Sequence, residues 1–291
     1  GQALRLRNSA SLPSEGTNCF RLIHGEGDGL PGLIVDYYDG AAVIQAHSVG
    51  MHADRKIVCS ALQEMLPGLQ TVYYKSQSTL PGKIRDARQD EYLFGLGVIP
   101  HIITENGNKF YVDWEEGQKT GFFLDQRDNR KLVSNFSKGK KVLNTFCYTG
   151  GFSVYAMNAM AEIVHSVDSS EKAITLTRKN IVLNGFDESI HECFAVDTFD
   201  FLKDKQDKYD VIILDAPAFA KHRDARHQAV KGYQRLNTEA MRLIRPGGII
   251  FTFSCSQVVD RQLFYDTVVS AAIHAGRQIK VLHHLSQPAD H

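Results

Sequence analysis

From Gly121 onward, short continuous apolar runs alternate with stretches of helical spacing. KKVLNTF (140–146), EIVHSVD (162–168), HECFAVD (191–197), YDVIILD (209–215), GIIFTFS (248–254) and QIKVLHHL (278–285) read as strands. Residues 122–136, 152–160, 171–185, a short piece through Phe199 and Leu202, 233–244 and 262–275 read as helices. Gly185 closes one of these, and Pro246-Gly247-Gly248 follows another. Strands that are apolar without a polar alternate are covered on both faces. Strict alternation with helices then requires a parallel sheet with right-handed crossovers. The expectation is an α/β, doubly wound, Rossmann-like sheet of six strands, with ligands beyond the carboxyl ends of the strands.

Residues 17–117 carry a different signal, mostly of period 2. CFRLI (19–23), GLIVDYY (32–38), AAVIQAH (41–47) and TVYYK (71–75) read as strands, with Asp39-Gly40 as a tight turn between two of them. Residues 53–66 have helical spacing, and HIITENGNKFYVDW reads as a hairpin turning at 106–108. This is an α+β module without a chemical motif. His24, Asp28 and Asp36 read first as turn and strand-end residues. The first sixteen residues show no hydrophobic period and read as a linker. The organisation expected is thus a linker (1–16), an α+β module (17–117) and a ligand-binding domain (118–291).

Composition narrows the class. With 43% hydrophobic residues and 33 acidic against 33 basic side chains, the chain is neither disordered by composition nor coated with positive charge. No apolar run approaches the roughly 20 residues of a membrane span, and the polar, Ser-rich start does not read as a leader. Five cysteines without a CxxC pair argue against a disulfide framework or a metal site and for a reducing, cytoplasmic setting.

The strand ends carry the functional signal. The first rear strand runs into Cys147-Tyr148-Thr149-Gly150-Gly151, where glycine lets backbone approach a ligand closely. Asp168, Asp197 and Asp215 end the next three strands. Asp168 suits the two hydroxyls of a ribose and Asp197 an adenine edge. Each alone could be a helix N-cap, but three at successive strand ends favour a ligand. A dinucleotide site would need G-x-G-x-x-G to open a helix onto the diphosphate, and the Asn144–Gly150 stretch does not match. A nucleoside ligand without phosphates fits better, which points to S-adenosylmethionine.

Residues 17–288 resemble the class I methyltransferase family that modifies cytosine C5 in large-subunit ribosomal RNA. The resemblance rests on GEGDGLPGLIVD (25–36), GQKTGFFLDQRDNR (117–130), VLNTFCYTGGFSVYA (142–156), VDSSEKAI (167–174), YDVIILDAPAFAK (209–221), RPGGIIFTFSCS (245–256) and PADH (288–291). Members carry an N-terminal PUA domain and a further strand after PADH, and neither is read in this sequence. The resemblance implies S-adenosylmethionine as cofactor, held by Asp125, Arg127, Asn144, Phe146, Tyr148, Thr149, Gly150, Asp168, Ser169, Asp197, Thr198 and Asp215. It implies large-subunit ribosomal RNA as partner, no membrane, and leaves a homodimer open. One departure stands out: the family's Asp-Pro-Pro is Asp215-Ala216-Pro217 here.

Cytosine C5 is a poor nucleophile until a thiolate adds at C6, so the reaction needs a cysteine, a partner for the ring and a base. The resemblance gives Cys255, in Ser254-Cys255-Ser256, the nucleophile's part. Asp215 would engage the ring and Lys221 would help to hold the base or a phosphate. A buried structural cysteine is the alternative for Cys255 and the leading reading for Cys19, Cys59 and Cys193, while Cys147 lines the cofactor loop. Two segments are locally basic, 119–141 and 221–245, each with seven Lys or Arg against two acids, and would meet RNA phosphates. Phe219 or Tyr148 could stack on a flipped base. Other readings are a guanine-N7 or other base methyltransferase, which needs no cysteine after the fifth strand, and a catalytically silent RNA-binding protein.

Overall fold

A computed structural model describes residues 1–80, 90–203, 208–220 and 223–291. The chain divides into two units: 1–129 with 286–291, and 130–285. The boundary falls twelve residues later than the sequence pattern suggested, inside a helix, and the last six residues belong to the first unit.

The first unit is built on a sheet of β1 (Cys19–His24), β2 (Leu33–Tyr38), β3 (Ala41–Ala46), β4 (Thr71–Tyr74) and β5 (Glu91–Phe94), paired in that order. Asp39 and Gly40 adopt φ of 43° and 89°, the left-handed turn that joins β2 to β3 without splaying them. Only β3 and β4 run parallel, because the helices α2 (Val49–Ala53) and α3 (Arg55–Met65) cross between them. The hairpin of β6 (His101–Glu105) and β7 (Asn108–Val112) turns at Asn106-Gly107 as expected. The core gathers Phe20, Leu33, Ile44, Leu62, Val72 and Tyr74.

The opening sixteen residues are not simply a linker, since Gln2–Ser9 forms helix α1. Its Arg7 is 5% exposed and grips both Asp28 oxygens at 2.7 and 2.6 Å. The same guanidinium reaches the Asp290 carbonyl at 3.2 Å. With Ala3 and Leu4 on the core and a charged Arg7 buried beside them, so short a helix leaves little hydrophobic period to read. Asp36 is likewise structural, accepting from Arg21 at 2.8 and 3.1 Å and from Thr120 at 2.6 Å.

The second unit is the parallel sheet. Its strands are β8 (Lys141–Thr145), β9 (Ile163–Asp168), β10 (His191–Ala195), β11 (Tyr209–Leu214) and β12 (Ile244–Thr252), in the order β10-β9-β8-β11-β12. Every pairing is parallel. The order turns at β8, so the loops after β8 and β11 start side by side at the switch point. Crossovers are made by α5 (Gly151–Asn158), α6 (Glu171–Leu183), α7 (Thr198–Leu202) and α8 (Arg226–Leu243), and α9 (Arg261–Ala275) follows β12. Helix α4 (Arg127–Ser134) precedes β8 and spans the division between the units. Leu143, Val167, Ile212, Leu214, Tyr233 and Leu236 fill the core.

Two differences from the sequence reading stand out. Helix α8 begins seven residues earlier than its apolar spacing suggested, because its first turns are mostly polar and exposed. The sixth strand is not formed: among the described residues no backbone ladder involves 278–285, and Ile279, Val281 and Leu282 remain 41%, 41% and 54% exposed. A strand-like sequence gives a strand only where a neighbouring backbone completes its hydrogen bonds.

Candidate cofactor and catalytic site

The chain leaves β8 through a left-handed loop. Phe146, Tyr148 and Gly150 have φ of 54°, 45° and 72°. Such conformations in non-glycine residues persist only where the surroundings hold them. Here Gly150 N–H donates to the Cys147 carbonyl at 2.7 Å, and Cys147 N–H donates to Val167 of β9 at 3.1 Å. Helix α6 supplies two more ties. Thr177 donates to the Tyr148 carbonyl at 3.1 Å, and Asn180 to the Thr149 carbonyl at 2.8 Å. Both are fully buried. Sequence reasoning missed them, although two polar side chains three apart on the buried face of a helix are a usable signal. At Gly150 a β-carbon would lie 2.6 Å from the Thr177 methyl, so glycine is needed there for space as well as for φ.

Asp168 accepts from Tyr148 N–H at 3.1 Å on one oxygen and from Ser170 N–H at 2.9 Å on the other. It therefore fixes the β8 loop to the end of β9, and each oxygen keeps a second lone pair for a ligand hydroxyl. Ser169 beside it is exposed. Asp197 caps α7 through one oxygen, at 2.8 and 3.2 Å from the Phe199 and Asp200 amides. Thus the N-cap reading holds for Asp197 as geometry, and its carboxylate is still exposed. Thr198 and Asn144 are 2% and 1% exposed. The hydroxyl of Thr198 and Oδ1 of Asn144 are buried without a hydrogen-bond partner among the described residues. A buried polar atom left unpaired at the root of the strained loop, as Asn144 Oδ1 is, suits a polar ligand, since an orphaned group costs about 1–3 kcal/mol. Asp125 and Arg127 lie in the first unit. There Arg127 is 5% exposed and makes a two-pronged pair with Asp290 at 3.2 and 2.5 Å, which gives this sequence-nominated cofactor residue a structural partner.

Next to this loop, β11 runs into Asp215, which is half-buried, and Ala216 is 2% exposed. The β11 and β12 exits are stitched together. Phe253 N–H donates to the Leu214 carbonyl at 3.0 Å and Ser256 Oγ to the Ala220 carbonyl at 3.0 Å. The Cys255 thiol faces the Ala216 carbonyl at 3.7 Å. Tyr233 lies against both exits: its phenol is raised above its ordinary value, chiefly by burial, with Cys255 and Asp215 adding to it. Phe219 packs edge-on to the Tyr233 ring at 4.7 Å. Lys221 lies outside the described residues.

All five cysteines are described, and Cys255 alone is exposed. Burial pushes the Cys147 thiol far up, and its hydroxyl partner Thr177 at 3.5 Å offsets only part of that. Burial also raises Cys193, to about 11, and Cys59. A thiol that must form a thiolate and meet a substrate needs access, and Cys255 has it.

The basic segments are thinner than their composition suggests. Arg127 and Arg130 are buried. Arg226, Arg242 and Arg245 pair with Asp260, Glu239 and Asp210 at 3.2, 3.0 and 3.3 Å. Arg235 lies over the Phe199 ring at 4.6 Å. Lys131, Lys138 and Lys140 are exposed. Among the described residues no helix is long and apolar enough to cross a membrane, and no group of three or more metal-ligating side chains occurs.

A five-stranded parallel sheet with a glycine-bearing loop after β8 and acidic residues at three successive strand ends is the frame of a methyltransferase that uses S-adenosylmethionine. Residues 21–290 match the model of the S-adenosylmethionine-dependent methyltransferase family, and the chain belongs to that family. It is 40% identical over 285 residues to the ribosomal RNA large subunit methyltransferase I of Aeromonas hydrophila subsp. hydrophila, covering 96% of this chain and 72% of that protein. To the protein of the same name from Klebsiella pneumoniae (strain 342) it is 38% identical, covering 95% and 70%. Among solved structures it is similar to SMU.776, a putative methyltransferase complexed with SAH. The TM-score is 0.85 and the identity 25%, over 99% of this chain and 74% of that one.

Proposed function

We propose that this methyltransferase acts on large-subunit ribosomal RNA, at C5 of a cytosine, through a covalent bond from Cys255. The observation that carries the reading is the exposed Cys255 thiol, 3.7 Å from the Ala216 carbonyl and directly beside the Asp215 loop. The names of the relatives supply the RNA.

Cys255 acts as thiolate and adds to C6 of the cytosine, which moves the ring's electron pair toward C5. Asp215 holds the polar edge of the ring. When bound, S-adenosylmethionine supplies an electrophilic methyl group for the activated C5. The C5 proton then leaves to a base, the electron pair returns to the ring, and the bond from C6 to the Cys255 sulfur breaks. Asp168 holds the ribose hydroxyls of the cofactor and Asp197 its adenine edge. The backbone of Phe146, Tyr148, Thr149 and Gly150, with Asn144, Ser169 and Thr198, encloses the rest. The target base must leave its stack to reach the thiol. The exposed Lys131, Lys138 and Lys140 suit RNA phosphates.

The test is methylation of large-subunit ribosomal RNA by the purified chain, read by mass spectrometry of its nucleosides. 5-Methylcytidine is expected from the wild type and not from Cys255→Ser. RNA carrying 5-fluorocytosine should trap the wild-type protein, since fluorine cannot leave as the proton does. A methylated guanine, or full activity in Cys255→Ser, would overturn the reading. Cofactor binding without methyl transfer to any RNA would mark a silent binding protein.

A further inference from the structure

Four side chains from four elements form a polar chain across the sheet, three of them buried and His191 half-buried at its end. Asn144 of β8 donates from Nδ2 to Ser153 Oγ of α5 at 2.9 Å. The hydroxyls of Ser153 and Ser166 of β9 are 2.7 Å apart. Ser166 Oγ is 2.8 Å from Nε2 of His191, the first residue of β10. Asn144, Ser153 and Ser166 are at most 1% exposed.

The direction of the chain follows from its donors. The amide nitrogen of Asn144 only donates, so Ser153 accepts there and must place its own proton elsewhere. Among the described residues Ser166 Oγ is the acceptor in reach. Ser166 in turn donates onward to His191 Nε2, which must carry no proton.

We propose that Ser153, Ser166 and His191 are positioning residues that fix the rotation of the Asn144 amide, with His191 held as the Nδ1–H tautomer at the far end. The amide then has one orientation. Its Oδ1, buried and without a partner among the described residues, is the atom left for a donor of the cofactor. A turned amide would offer NH2 where an acceptor is needed. Burial, helped by His165 and Arg178, pushes the His191 imidazole down to about 4, so it is neutral at physiological pH and able to accept. The proposal rests on the reading of Asn144 as a cofactor residue in its last step alone.

The test has two parts, both on the full chain. Long-range nitrogen–proton NMR at pH 7 should show His191 protonated at Nδ1 and bare at Nε2. Asn144→Asp can only accept, so both hydroxyls must turn round and His191 must become a donor at Nε2. An Nε2–H tautomer in the wild type, or an unchanged tautomer in Asn144→Asp, would overturn the chain. Calorimetry with S-adenosylhomocysteine should show Ser166→Ala and Asn144→Ala each weaker by about tenfold. If Asn144→Ala weakens binding and Ser166→Ala does not, the positioning role is overturned. Wild-type affinity in Asn144→Ala would overturn the cofactor step, and the tautomer result would still decide the direction of the chain.

Discussion

The Cys255 sulfur lies 3.7 Å from the main-chain oxygen of Ala216, so the thiol three residues past β12 touches the loop after β11 one residue beyond Asp215. The contact is with backbone, and the side chain itself is exposed. Cys255→Ala should therefore change stability by no more than about 0.5 kcal/mol, the usual range for exposed sites. It should leave S-adenosylhomocysteine affinity intact and abolish methyl transfer. Urea unfolding, calorimetry and a tritium-transfer assay on one preparation check all three.

Thr177 and Asn180 hold the β8 loop by its carbonyls, so each alanine variant should loosen the loop at the cost of at least that buried hydrogen bond, about 1 kcal/mol or more. The expected result is a several-fold rise in the dissociation constant for S-adenosylhomocysteine. Cofactor affinity equal to wild type in both variants would mean that the loop does not hold the cofactor.

Gly150→Ala places a methyl group 2.6 Å from the Thr177 methyl at a backbone φ of 72°. Left-handed strain and the clash together should destabilise the chain by roughly 1–3 kcal/mol. Thermal unfolding gives the loss. Pairing Gly150→Ala with Thr177→Ser, which removes the clashing methyl, should recover part of it.

His191 makes stability depend on pH. Its pKa is near 6.5 unfolded and about 4 folded, because burial opposes its charge. Between these values the unfolded chain binds more protons, so stability rises with pH. The contribution is complete above about pH 6.5 and is lost progressively as pH falls toward 4, by roughly 2–3 kcal/mol. Urea unfolding at pH 7 and pH 5 should show a smaller loss for His191→Phe than for wild type.

Arg127 and Asp290 form a pair whose side chains are 6% and 0% exposed. Burial alone would raise the Asp290 carboxyl, but His291 and Arg127 outweigh it and hold the group well below the ordinary carboxylate range. Asp290→Ala takes the two-pronged partner from a buried guanidinium and leaves it the exposed Asp128 at 3.8 Å, which costs roughly 3–5 kcal/mol. Chemical denaturation should show that loss. A change under 1 kcal/mol would mean that solvent reaches Arg127.

Much of the second unit was legible in the sequence because its central strands, β8 and β11, are buried on both faces, which leaves apolar runs such as VIIL (211–214) that nothing else explains. The positions of the strand-end aspartates were legible for the same reason, since they stand where those runs stop, while Cys255 was singled out by the resemblance of its motif. What escaped depends on partners distant in sequence. Helix α1 is fixed by Arg7 on Asp28 and Asp290, and Thr177 and Asn180 act through carbonyls about thirty residues earlier. Strand β5 is short and its residues are half-buried to exposed, so it shows little alternation. Arg127 was read from a motif, and a motif does not show which side chain already occupies a guanidinium.

The strand order β10-β9-β8-β11-β12 places Asp168 and Asp197 on one side of the seam between β8 and β11, and Asp215 and Cys255 on the other. The two halves of the sheet meet along a single ladder, from Val211 opposite Val142 to Leu214 opposite Thr145. A scaffold divided in this way can diverge by halves. On the proposed assignment, replacing the loops after β11 and β12 would give the molecule a new acceptor while the cofactor's half stayed as it is, and exchanging Cys255 would alter neither the strand count nor the handedness of the crossovers.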